Sequence, residues 1–164
     1  MMPQRNDVSS QAGRCSCTAL RKASRRISQL YDAALAPSGL KTTQRAILAQ
    51  IRRCEPTTVG SLAEALVMDA GALAHTLKPL QRDRLVSIDV DREDRRNRVV
   101  RLTLAGRARL AESDMLWENA QRGFEAAFGR VKSEALREKM RFLASGEFIR
   151  AFEKATSTSK AEMS

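Results

Sequence analysis

The chain has 164 residues, 43% of them apolar and 29% charged, and carries a formal net charge of +10. That length holds one compact domain with a sizeable core and excludes two full-sized ones, and the apolar content excludes a chain disordered throughout. Aromatic residues make up only 4%, while Ala, Leu and Arg are abundant, a balance that favours helices over a β-sandwich.

No run free of Asp, Glu, Lys and Arg exceeds eight residues, whereas a membrane-spanning helix takes about 20 apolar ones. The sequence therefore predicts no membrane partner. The N-terminal stretch lacks the apolar run of a secretory signal and the three cysteines make no disulfide framework, so the expected location is the cytoplasm. The excess charge sits in two blocks. Residues 1–30 hold six basic residues and one acidic, residues 92–109 hold seven arginines against Glu93 and Asp94, and the remainder balances. Arginine concentrated between neutral segments is the footprint of a polyanion partner, nucleic acid ahead of an acidic membrane. The competing reading is a set of solvated helix faces.

Residues 1–13 are polar and 156–164 are rich in Ser and Thr; both read as disordered tails. Between them, residues 14–155 read as a single domain. Cys17, Leu20, Ser24, Ile27, Tyr31 and Ala34 recur at helical spacing, ending before Pro37-Ser38-Gly39. A second helix runs from about Thr42 to Arg53, with Ile47, Leu48 and Ile51 inside, and stops at Glu55-Pro56. A third, short helix starts at Ser61 as cap with Glu64 three residues on, a capping box. After Val67-Met68-Asp69-Ala70 a fourth helix carries Leu73, Leu77 and Leu80 on one face, with Gly71, Ala74 or His75, Lys78 and Arg82 opposite.

Two short helices joined by a tight turn, the second apolar on one side and small or basic on the other, form a helix-turn-helix. Leu85 to Val90 and Arg98 to Leu102 alternate apolar and polar around the charged turn Asp91 to Asn97, which predicts a two-stranded wing. Thr103 then caps a long helix from Leu104 to Phe128, and a last helix covers about 131–154 with a bend at Ser145-Gly146. A helix of about 25 residues spans about 37 Å, longer than one small core needs. Its surplus length predicts a homodimer in which the first, fifth and sixth helices of two chains interleave; the alternative is a monomer with these helices folded back on each other. The fold class is thus mainly α with a small β-hairpin wing, a winged helix-turn-helix with long dimerisation helices at both ends. The DNA-binding lobe falls at about 42–103 and the dimerisation helices at about 15–36 and 104–155.

The run TTVGSLAEALVMDAGALAHTLKPLQRDRLV followed by DREDRRNRVVRLTLAGRARL resembles the MarR family of bacterial winged-helix transcription factors, over about residues 15–150. The most specific parts are Asp94-x-Arg96 followed by Leu102-Thr103-x-x-Gly106, and LxxLxxDxLV at 77–86. The resemblance implies a homodimer bound to a palindromic operator in double-stranded DNA, a repressor released when an effector acts. It implies no cofactor and no enzymatic activity.

The chemistry of the residues fits that reading. Lys78 or His75 can donate to guanine O6 or N7, and Ala74 can meet a thymine methyl in the major groove. Gly71 and Ala72 sit where a helix N-terminus favours phosphate. Arg95, Arg96 and Arg98 suit phosphates or a narrow minor groove, while Asp94 is read as orienting a neighbouring arginine. Catalysis has no constellation to carry it: His75 is the sole histidine, and phosphate loop, HExxH and nucleophile elbow are all missing. No metal site is expected, since one His and distant cysteines give no ligand spacing.

Cys17 admits two readings. It is a small buried hydrophobe on the first helix, or a redox sensor: Cys17-Thr18-Ala19-Leu20 with Tyr31 is similar to the peroxide-sensing OhrR branch of the family, whose reactive cysteine pairs with a tyrosine fourteen positions on. Within one helix those positions lie about 21 Å apart, so the pairing would cross the dimer. The branch has a tyrosine where this chain has Arg21. A small aromatic or phenolic effector is the family's usual route, with Tyr31, Ile47, Ile51 and Trp117 as candidate pocket residues. A third alternative is a nonspecific, architectural nucleic-acid-binding protein without an effector.

Overall fold

The computed structural model describes residues 14–92 and 94–161. The tail expected at 1–13 lies outside them. Among the described residues these elements follow in order: α1 (Ser16–Leu35), a single 3-10 turn at Ala36–Ser38, α2 (Thr42–Cys54), β1 (Thr57–Thr58), α3 (Val59–Ala65), α4 (Ala70–Arg82), β2 (Val86–Val90), β3 (Arg98–Leu102), α5 (Leu104–Phe128), α6 (Arg130–Leu143) and α7 (Gly146–Ala161). This is the mainly α, winged helix-turn-helix architecture that the periodicities predict.

Four details differ from the sequence reading. The short helix α3 begins at Val59, because the Thr58 hydroxyl and not that of Ser61 accepts the first free N–H, from Ser61 at 3.1 Å. The bend expected at Ser145-Gly146 is a full break between α6 and α7, with the Ser145 hydroxyl accepting the Phe148 N–H at 3.2 Å as α7 restarts. Helix α7 continues to Ala161, through part of the stretch expected to fray from Thr156. Finally, the wing hairpin gains a third strand: β1 pairs with β3 through Thr57 opposite Val100 and Thr58 opposite Val99.

The lobe core is built from Ile47, Leu48 and Ile51 of α2, Leu62 of α3, Leu73, Leu77 and Leu80 of α4, Val100 of β3 and Leu110 of α5, each 1% exposed or less. At about 25 cal/mol per Å² of apolar surface, each such side chain contributes about 1.5–3 kcal/mol, which holds α4 by one face and leaves the other free. Both helices of the helix-turn-helix end in a Schellman motif. Val67 at φ 52° and Arg84 at φ 57° supply the left-handed residue, and the N–H groups of Met68 and Leu85 reach back to Ala63 O and Leu80 O at 2.8 Å.

Helix α2 is capped from outside its own segment. Its N-cap, Lys41, offers no side-chain acceptor, and the Asp32 carboxylate of α1 takes the Thr42 N–H at 2.6 Å while Gln44 takes the Lys41 N–H at 2.9 Å. Burial works against the charged Asp32 carboxylate, but hydrogen bonding from Thr42 and the nearby Lys41 charge outweigh it and hold this carboxyl below its ordinary value. Beyond the lobe, α1 packs on α5 and α6 on the far end of α5. Tyr31 of α1 donates to Gln121 Oε1 of α5 at 2.9 Å. Burial raises the Tyr31 phenol above its ordinary value and the Glu125 charge adds to the shift.

Candidate DNA interface

Helix α4 presents a divided surface. On one flank Ala74, Lys78 and Gln81, with Val59 of α3 and Ile88 and Arg98 of the wing, line a cleft of about 350 Å³. On the other, His75, Lys78, Pro79 and Arg82 face Asp32, Lys41 and Gln44 across a cleft of about 680 Å³. Lys78 borders both clefts and so forms the crest between them. The division follows from the helical period: residues 74, 78 and 81 form one row, 75, 79 and 82 the next. Ala74, His75, Lys78, Gln81 and Arg82 are exposed, whereas Leu73, Leu77 and Leu80 behind them are buried. Gln81 and Lys41 were not singled out from sequence; the signal for Gln81 was its place one turn beyond Lys78.

Gly71 and Ala72 have a different role from the phosphate contact read from sequence. Asp69 is the N-cap of α4, and its Oδ1 accepts from the N–H groups of Gly71 at 2.9 Å and Ala72 at 3.1 Å. Those two donors are occupied by a carboxylate of the chain itself, which also meets the positive end of the helix dipole.

In the wing, Arg95, Arg96 and Arg98 are exposed and have no carboxylate partner among the described residues. Asp94 does not orient a guanidinium. It shapes the turn instead: its Oδ1 accepts the backbone N–H of Arg96 at 3.0 Å, its Oδ2 accepts from Asn97 Nδ2 at 3.3 Å, and its carbonyl takes the Asn97 N–H. An Asx turn of this kind fixes the backbone and leaves the arginine side chains free. At the foot of the wing, Glu55 accepts the Leu102 N–H at 2.9 Å and pairs with Arg107 of α5. The Thr103 hydroxyl donates to Arg84 O at 2.6 Å while accepting the Gly106 N–H at 3.0 Å.

The remaining candidates are dispersed. Ile47 and Ile51 are wholly buried in the lobe core. Trp117 is half-buried on α5 beneath the Arg45 guanidinium, 4.6 Å from the ring centre. Tyr31 lines two apolar grooves beside α1, α5 and α6, of about 470 and 390 Å³. Neither groove includes Ile47, Ile51 or Trp117, so the four residues read as one pocket do not share these spaces. Cys17 is exposed rather than buried as a small hydrophobe. The Cys15 sulfur caps α1, accepting from Thr18 Oγ1 at 3.2 Å and Thr18 N at 3.5 Å, whereas the Cys54 thiol donates to Gln50 O at 3.0 Å within α2. The Thr18 hydroxyl and then its N–H hold the Cys15 thiol below its ordinary value. Among the described residues no group of three or more His, Cys, Asp or Glu is placed to hold a metal, and no helix is long and apolar enough to cross a membrane.

A half-exposed helix flanked by an arginine-tipped hairpin, both on one small core, defines a winged helix-turn-helix protein. The comparisons agree. No family model and no curated protein matches the chain, but solved structures do. The transcriptional regulator MosR of M. tuberculosis, solved with DNA, is 33% identical over 79% of this chain and 97% of its own, with a TM-score of 0.68. A probable transcriptional regulator from Pseudomonas aeruginosa is 26% identical over 80% of this chain and 98% of its own, at 0.71. A MarR mutant from E. coli, solved with operator DNA, shares the fold at 20% identity over 77% of this chain and 91% of its own, at 0.70. The chain belongs to the MarR family of transcriptional regulators.

Proposed function

We propose that this protein is a homodimeric repressor that binds a palindromic operator through α4 in the major groove and the wing on the flanking backbone, and that a small aromatic or phenolic effector releases it. The observation that carries the reading is Lys78 at the crest of α4, between two clefts and clear of every carboxylate partner among the described residues. There a lysine meets base edges while Ala74 and His75 occupy the same exposed surface. Arg95, Arg96 and Arg98 supply unpaired charge beside it, as a phosphate contact requires.

Dimerisation is supported by apolar side chains left uncovered outside the lobe: Val131 of α6 is 74% exposed, Phe152 of α7 59%, Leu30 of α1 58% and Ile149 of α7 51%. Large apolar side chains left this exposed on the outer helices call for a partner, and a second copy fits the symmetry of a palindrome. The effector reading rests on the groove under Tyr31, whose 470 Å³ is within the range of small-molecule sites. One observation favours a thiol-responsive form of the same regulator, the thiolate-stabilising contacts at Cys15.

The test is binding to the gene's own upstream DNA against random duplex at physiological salt. A specific regulator prefers its site by about 1,000-fold or more, with half-sites about one helical turn apart. Equal affinity for both duplexes would establish the architectural reading instead.

A further inference from the structure

Two arginines of α2 converge on one carboxylate of α5. Arg45 Nη2 meets Asp114 Oδ1 at 2.6 Å, and Arg52 Nη1 meets Asp114 Oδ2 at 3.0 Å. Arg45 and Arg52 are seven residues apart, so they lie on one face of α2, about two turns from each other. Arg45 is only 9% exposed and also stacks over Trp117, one turn beyond Asp114 on α5. A buried guanidinium with these directional contacts holds its neighbours in one arrangement, because parting it from Asp114 leaves a buried charge uncompensated.

The position of Asp114 matters as much as its partners. Leu110 is wholly buried in the lobe core, whereas Met115 is 70% exposed and Gln121 already contacts α1. Helix α5 therefore passes from the DNA-binding lobe to α1 just beyond Trp117, which Arg45 still covers, and Asp114 lies one turn before that point. Helix α2 in turn carries Ile47, Leu48 and Ile51, which pack in the same core as Leu73, Leu77 and Leu80 of the recognition helix.

We propose that Asp114 is a positioning residue for DNA binding: by gripping Arg45 and Arg52 it fixes the angle between the lobe and the distal half of α5, and so the separation at which two copies present their recognition helices. The inference rests on the dimeric, palindrome-binding reading above. Over a lever of about 20 Å, a tilt of about 10° moves the recognition helix by about one base-pair step, about 3.4 Å. Asp114 touches no DNA in this scheme. Its effect is on spacing, not on affinity for a single half-site.

The experiment begins by selecting a preferred duplex from a random pool with the wild-type protein. Fluorescence anisotropy then compares wild type, Asp114→Asn, Asp114→Glu and Arg52→Gln on that duplex, on one with a base pair inserted at its centre, and on one retaining a single half-site. Wild type is expected to lose about tenfold or more on the insertion. Asp114→Asn is expected to lose about tenfold on the selected duplex, to stay within about twofold of wild type on the half-site duplex, and to show an insertion penalty below about threefold. Asp114→Glu restores part of the spacing preference, since the longer carboxylate still reaches both guanidiniums. Arg52→Gln removes the more exposed half of the grip and shows the same pattern in smaller measure, which keeps the test decisive if Asp114→Asn folds poorly. A uniform loss on full and half sites, or no loss at all, overturns the inference and leaves Asp114 a structural residue. A wild-type protein that selects no palindrome overturns the DNA-binding reading on which it rests.

Discussion

Gly106, in the first turn of α5, lies directly against the carbonyl of Leu85, and a β-carbon at that position would overlap the carbonyl group. The two segments are already stitched there: the Thr103 N–H donates to Leu85 O at 3.1 Å, and the Thr103 hydroxyl bridges Arg84 O and Gly106 N. The exit of α4 is thereby fixed to the entry of α5. That close approach accounts for the glycine of the Leu102-Thr103-x-x-Gly106 pattern. Gly106→Ala should destabilise the fold by about 1–3 kcal/mol, the cost of overpacking a site whose neighbour is backbone. Thermal and urea unfolding would measure it, and an unchanged midpoint would show that the two segments can part without loss.

Val67 stands at the opposite end of the helix-turn-helix economy of space. It is 75% exposed and adopts φ 52°, where a β-branched residue is strained. Asn tolerates that conformation and the exposed valine contributes little burial, so Val67→Asn should stabilise the protein by about 1 kcal/mol. The check is a rise in the urea midpoint with an unchanged slope; a fall would mean that Val67 makes a contact worth more than its strain.

Asp32 shows how one carboxylate couples two helices. Its folded-state titration is depressed, so its contribution is present above the unfolded carboxylate range, near pH 4, and is lost as pH falls through the lower folded value. Asp32→Asn should cost about 1 kcal/mol at pH 7, the usual worth of an N-cap acceptor, and the gap to wild type should close on acidification below about pH 4. Unfolding curves at several pH values would reveal it. A gap that is constant with pH would assign the effect to packing rather than to the charge.

Elements governed by local chemistry were readable in advance. The strand at residues 98–102 and the Thr103 cap of α5 need only neighbouring residues, and both occur as expected, although Val99 and Val100 are buried in succession instead of alternating. What stayed hidden depends on partners distant in sequence. Strand β1 is two residues long and exists because Val99 and Val100 pair with it from more than 40 positions away. The grip of Asp114 on Arg45 and Arg52 spans 69 and 62 positions, and neither end carries a periodic signal. At the proposed interface, spacing singled out Lys78 and the wing arginines, all of which are exposed. It misassigned Gly71 and Ala72 because the Asp69 carboxylate that occupies their N–H groups is a cap rather than a contact, a distinction that only geometry makes.

Cys15 and Cys17 are separated by a single residue, and the structure distinguishes them. Thr18 stabilises the Cys15 thiolate through its hydroxyl and N–H, and the thiolate is the reactive form. Alkylation of Cys15 by iodoacetamide, followed by peptide mass analysis, should reach half its maximal rate at a lower pH than an ordinary thiol. Thr18→Val should move that midpoint upward. If the midpoint is the same in both proteins, Thr18 does not activate Cys15, and the thiol-responsive reading loses its structural support.

In the proposed mode of binding Lys78 and Arg96 have different tasks, and their variants should fail differently. Lys78 sits on the crest of α4, where a donor reaches base edges. Lys78→Ala should relax preference at particular base pairs, costing about 1–3 kcal/mol on the preferred site and less on duplexes already altered there. Arg96 lies in the wing turn, its backbone fixed by Asp94 and its side chain without a carboxylate partner among the described residues; in the proposed mode of binding it would neutralise phosphate or read groove width whatever the sequence. Arg96→Ala should therefore weaken binding to all duplexes by a similar factor and lower the slope of log affinity against log salt by about 1. Affinities measured at four or five salt concentrations, on the preferred site and on single-base variants, separate the two outcomes. An Arg96→Ala protein with wild-type affinity and slope would remove the wing from the interface, and a Lys78→Ala protein that weakens every duplex alike would make the crest of α4 a phosphate contact rather than the reading edge.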